Sequence, residues 1–155
     1  MTASYAESIT TAPSIFERAR EHGASVERRL RSEELLEAEH AEVEAFIEKE
    51  GREWARLMLE GQFALRAELE HGVEVVGADG VNRARKRATR RLLKTLVGEI
   101  SVPRLGYQSP GHEDLHPMDA HLNLPPELYS HGLRKMVAEE AGRVSFNEVV
   151  EMVGK

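Results

Sequence analysis

Histidine and carboxylate crowd into one stretch of this sequence. Residues 111–132, GHEDLHPMDAHLNLPPELYSHG, hold four of the seven histidines, with Glu113, Asp114 and Asp119 among them. Imidazole and carboxylate at such spacing are what Zn²⁺ or another divalent ion would use. His112 and His116 stand four apart, as two ligands on one helical face would, and Asp119 and His121 could complete a set. The surroundings argue against that chemistry. Gly111 and Pro117 disfavour a helix through the pair, and no cysteine is present. Pro117, Pro125 and Pro126 describe an extended connector whose polar groups bond locally. No metal site is expected. Ser130 and His131 are neighbours in sequence, whereas a nucleophile and its base come from separate elements. Ser130 reads instead as the cap of a helix opening at His131, and no catalytic residue is assigned.

The second concentration of chemistry is cationic. From Arg83 to Tyr107 there are eight Lys and Arg and one acid, Glu99, whereas from Arg31 to Glu74 five Lys and Arg face thirteen acids. The formal net charge of −6 conceals this division. Arg83, Arg85, Lys86, Arg87, Arg90, Arg91, Lys94 and Arg104 are the candidate DNA-binding residues, through phosphate contacts. In an extended chain Arg83, Arg85 and Arg87 share one face. Such contacts position a protein on a duplex without reading its sequence. The opposing reading is a strip whose charges answer the acidic helix of the same chain.

Those residues must be carried by something. With 5% aromatic and 31% charged residues among 155, the core has to come from Leu, Val and Ala, which favours slender helical packing. The expected fold is mainly α with a small central β-hairpin (α+β). Residues 1–13 are small and polar and read as a loose N-terminus. Residues 14–71 read as helical. Ser14 and Glu17 form a capping box that opens a short helix stopping near Gly23. From Ser32 to about Glu70, apolar residues recur at intervals of seven and four: Leu36, Val43, Ile47, Trp54, Met58 and Leu65. This is a seam on one long helix, or on two joined near Gly51, and residues 36–65 are a candidate homo-oligomer surface.

Residues 72–110 hold a loop and the basic hairpin. The glycines of HGVEVVGADGVN lack the Lys-Ser/Thr ending of a phosphate-binding loop. Ala88 to Leu96 and Glu99 to Tyr107 flank a turn at Val97-Gly98, and Pro103 suits an edge strand or a bulge. After the connector at 111–127, residues 128–155 read as a helix pair meeting at Gly142-Arg143-Val144. Ser145 and Glu148 form a second capping box there, with Val144 and Val149 as its hydrophobic staple. No window approaches the roughly 18 apolar residues of a membrane span, and the lack of cysteine is compatible with a reducing compartment. A cytoplasmic chain without membrane contact is expected.

The segments VVGADG, LVGEISVPRLGYQSPG and LHPMDAHLNLPPELYSHGLRKMVAEEAGRVSFNEVVE, with EGREWARLML upstream, carry a likeness. In this order they resemble the N-terminal region of bacterial insertion-sequence transposases of the Kra type (the ISKra family) over roughly residues 41–153. The resemblance implies a helical N-terminal part, a small β element and a helix-turn-helix. A ribonuclease-H-like domain would follow, whose three carboxylates bind Mg²⁺ for strand transfer by the two-metal route. Those carboxylates lie beyond the matched segment, and none maps onto a residue here. For these 155 residues the resemblance therefore implies binding of transposon-end DNA and assembly, with the C-terminal helix pair an incomplete helix-turn-helix. No cofactor is expected in the chain itself, Mg²⁺ belonging only to the absent catalytic domain. The alternative is a helical homodimer that interacts without binding DNA.

Overall fold

The computed structural model describes residues 15–153, with side chains as far as Arg143. Residues 1–13, the Ser14 cap and the side chains of the Ser145–Glu148 box lie outside the described residues. The architecture is α+β: three N-terminal helices, two small antiparallel ladders, a short helix and a C-terminal helix.

Helix α1 (Glu17–Leu30) and helix α3 (His40–Glu68) form an antiparallel pair. Their contacts run in opposite chain directions. Phe16 lies on Gly61, His22 Nε2 is 3.1 Å from the Glu50 carbonyl, and the Arg29 guanidinium sits 4.7 Å over the Phe46 ring. Gly23 does not end α1 as expected. A Cβ there would meet the Trp54 indole in ordinary van der Waals contact at 3.7 Å, and a glycine inside a helix costs only roughly 1 kcal/mol. The helix continues to Leu30.

Between them lies α2 (Glu33–Leu36), and the chain turns at residues 37–39 before α3 starts. Glu39 N–H donates to the Glu42 carboxylate at 3.0 Å, which starts α3 at His40 rather than at Ser32. Leu36, the first member of the expected seam, therefore belongs to α2 and is 72% exposed. The 29 residues of α3 run unbroken through Gly51, a length of about 43 Å.

The ribbon follows. β1 (Val75–Val76) pairs with β2 (Asn82–Arg83) around a turn with Gly80 at φ +73. β3 (Arg85–Thr95) and β4 (Gly98–Gln108) pair antiparallel over eleven residues each. The turn is Leu96-Val97, one residue earlier than expected. Gly98 closes it at φ +124, a conformation other residues rarely adopt, and the Thr95 hydroxyl donates to the Gly98 carbonyl at 2.7 Å.

Leu93, Ile100 and Val102 on one face of the ribbon form the core with Met118, and Leu59, Phe63 and Ala67 of α3 pack against it. Helix α4 (Pro117–His121) supplies Met118. The connector is thus not wholly extended. Pro117 occupies the first turn of α4, where a missing N–H costs nothing. Asn123 at φ +49 ends the helix, with Leu124 N–H returning to the Asp119 carbonyl at 2.8 Å.

The Ser130 hydroxyl accepts from Leu133 N–H at 3.2 Å at the start of helix α5 (His131–Val153), as expected. The expected helix pair is instead this single helix. Gly142 costs about 1 kcal/mol in a helix interior and Ser less, which is too little to break a helix lacking an internal proline or a left-handed residue. Among the described residues no helix is long and apolar enough to cross a membrane.

Ile100, 1% exposed, is the test of this core. Ile100→Ala should lower the unfolding free energy by about 2–5 kcal/mol. Val137→Ala, at a 59% exposed position of α5, should change it by less than about 0.5 kcal/mol. Urea unfolding measures both.

Candidate nucleic-acid interface

The position of the basic strip is set by how its ribbon is braced. Lys94 exchanges main-chain hydrogen bonds with the connector, its N–H donating to Leu128 O at 2.8 Å and its carbonyl accepting from Ser130 N–H at 2.9 Å. Lys94 therefore faces away from β4, and by the alternation of an antiparallel ladder so do Leu92, Arg90, Ala88 and Lys86. The same alternation turns Ser101, Pro103, Leu105 and Tyr107 outward on β4.

On the β4 side the outward N–H groups are occupied. Ser101 N–H donates to Glu60 Oε2 at 3.0 Å, Leu105 N–H to Glu70 Oε2 at 3.2 Å, and Tyr107 N–H to Leu115 O at 2.8 Å. Pro103, between them, has no N–H to satisfy, as befits an edge position. β3 thus forms the edge that lies open over Lys86–Leu92 among the described residues.

The eight sequence-predicted cations divide. Arg83 is 3% exposed: it forms a two-pronged pair with Asp79 at 2.7 and 3.1 Å and donates to Glu113 O at 2.8 Å. The Asp79 carboxyl is held well below the ordinary carboxylate range, first by the Arg83 hydrogen bonds and next by Val81 N–H. Arg91 reaches inward to the carbonyls of Pro125 at 2.9 Å and Glu127 at 2.8 Å, with Asp119 at 3.4 Å. Arg104 pairs with the same Asp119 oxygen, and its pKa is lowered by burial and then by Arg91. These three arginines hold the fold and are withdrawn from the expected interface.

Arg85, Lys86, Arg87 and Arg90 remain exposed on β3. Lys86 Nζ donates to the Gly72 carbonyl at 3.1 Å, and Arg90 approaches the Ser101 hydroxyl at 3.5 Å. Lys94 stands 5.7 Å over the Tyr129 ring. Among the described residues no ion pair joins these five cations to a carboxylate. Three acids of α3 pair with other cations, Glu48 with Arg52, Glu53 with Arg56, and Glu60 with Arg18 and Arg56. Among the described residues the strip thus makes no direct ion pair with the acidic helix of its own chain.

The histidines do not converge. His116 Nδ1 is 3.1 Å from Leu105 O and His131 Nε2 is 3.1 Å from Asn123 O, while Asp119 is taken by the two arginines. Among the described residues no group of three His, Asp or Glu is placed to hold a metal ion. The residues that position the ribbon, Glu60, Glu70 and Asp119, were not legible as such. Pro103 was the one signal that an N–H partner was dispensable between the two carboxylates.

Fold and site together define a helical pair bracing a two-stranded basic ribbon with one open edge. Set against models of known protein families, curated proteins and solved structures, the chain matches none.

Removing Asp119 leaves two largely buried guanidiniums facing each other. Asp119→Ala should destabilise the chain by about 2–4 kcal/mol. Arg85→Ala and Arg87→Ala should each stay within about 0.5 kcal/mol of the parent. Urea midpoints at constant pH give the comparison, and equal effects at all three positions would contradict the division drawn between inner and outer arginines.

Proposed function

We propose that the chain binds DNA through the exposed cations of β3, as the DNA-binding and assembly portion of an insertion-sequence transposase. The observation that carries this reading is that Arg85, Lys86, Arg87 and Arg90 are surface charges with no carboxylate partner among the described residues. Guanidinium and ammonium groups so placed neutralise phosphates and release counterions. The resemblance of residues 41–153 to Kra-type transposases supplies the element-end DNA as the particular partner. In this reading phosphoryl transfer and its Mg²⁺ belong to carboxylates outside these residues.

The contacts are positional. Four cations along one strand would touch the phosphate backbone, which positions a protein on a duplex without reading its sequence. Binding of an element-end duplex should therefore weaken steeply with salt. In the variant Arg85→Ala, Arg87→Ala, Arg90→Ala the slope of log K against log salt should be shallower by about 2–3. Fluorescence anisotropy with element-end and scrambled duplexes measures it. An unchanged slope removes β3 from the interface.

A second reading, homodimerisation without DNA, is favoured by a separate observation: Ile47 and Trp54 of the expected seam are 44% and 46% exposed, and Leu36 more so. Sedimentation decides between the two. The DNA-binding reading expects a faster boundary when duplex is added, whereas a concentration-dependent dimer that ignores duplex supports the second.

A further inference from the structure

The open edge of β3 offers main-chain groups as well as charges. Leu92, Arg90, Ala88 and Lys86 turn their N–H and C=O away from β4, and among the described residues no main-chain hydrogen bond reaches them. An edge of alternating donors and acceptors is matched by another extended chain, which supplies acceptors and donors in the same alternation. A phosphate backbone has acceptors only and leaves the carbonyls unmet.

The chain already adds a strand to this edge at one end. Lys94 and Tyr129 form a parallel bridge through Leu128 and Ser130, and beyond it the edge continues unpaired.

Charge selects the occupant. Lys86 and Arg90 lie on one face of the edge and Arg85 and Arg87 on the other. A second copy of β3 would bring the same cations opposite these, which is unfavourable. An acidic strand meets no such repulsion, and Leu92, 52% exposed at the end of the open stretch, offers it an apolar contact.

We propose that the open edge of β3, from Lys86 to Leu92, accepts an extended acidic segment of a partner protein as a third strand. This goes beyond the DNA reading, because it uses the main chain of the edge. It also predicts competition, because strand and duplex both cover Lys86 and Arg90.

The test uses the full chain, a short peptide of alternating Glu and Val, and the same peptide N-methylated at alternate amides. The acidic peptide should bind and slow amide hydrogen exchange at Ala88, Arg90 and Leu92. N-methylation should weaken binding at least about tenfold, since it removes ladder donors and leaves the charge unchanged. Ala88→Pro should abolish peptide binding and retain DNA affinity, because the Ala88 N–H faces outward and its loss costs no bond to β4. The N-methylated peptide carries the test whether or not that variant folds. Equal binding of the two peptides would overturn the proposal, as attraction without strand pairing. So would the absence of peptide binding, or protection of these amides by duplex DNA and not by the acidic peptide.

Discussion

Two carboxylates standing ten residues apart decide how this chain is put together. Glu60 on α3 and Glu70 just past its end accept the outward N–H groups of Ser101 and Leu105 on β4. Ten residues at the helical rise span about 15 Å, the last two just past the helix end, and four strand residues about 13.6 Å, so the two spacings agree when helix and strand run side by side in the same direction. Pro103, midway, needs no partner. The helix thereby closes one edge of the ribbon with charge-assisted hydrogen bonds, which are stronger than neutral ones. It also brings Leu59, Phe63 and Ala67 over the core. With β4 closed, the open edge and its cations belong to β3.

Asp119 makes the second division. One carboxylate oxygen serves both Arg91 and Arg104, and Arg91 also gathers the carbonyls of the Pro125-Pro126 segment. Prolines leave their carbonyls without a neighbouring N–H on the same residue, and a guanidinium with five donors is suited to collect several at once. The connector is held to the ribbon in this way, and two of the strip's cations become structural. The same residue that looked like a metal ligand by its neighbours is a counter-ion by its position.

The alternation of helix, ribbon and helix was legible because apolar spacing and the glycine turn act locally. What was hidden depended on partners distant in the chain. Gly23 carries a stop signal, yet α1 runs through it to Leu30 and packs on α3. Gly142 and Ser145 spell a helix boundary, yet neither costs enough to make one. Arg83 and Arg85 are alike in sequence, but the first meets Asp79 and Glu113 and is buried, and the second meets neither. Hydrophobic periodicity placed a seam on α3, whereas its buried residues are Leu57 and Gly61, because the stripe that packs is chosen by α1 and the ribbon. Local signals report which elements form, and the assignment of each arginine waits on which carboxylate the fold delivers.

The ends of the ribbon are not equivalent, and this bears on how it would meet a nucleic acid. At the turn, Gly98 lies against the Arg56 side chain and Leu96 against Gly132, so the tip is clamped between α3 and the start of α5. A β-ribbon that enters a DNA groove does so with an exposed strand surface or a free tip. Here the free cations, Arg85 to Arg90, stand toward the opposite end. On the proposed reading the ribbon would lie along the phosphates from its open end and edge, braced from behind by α3. Such an arrangement holds a duplex in register and leaves the reading of bases to other residues, which is the division of labour between phosphate and base contacts.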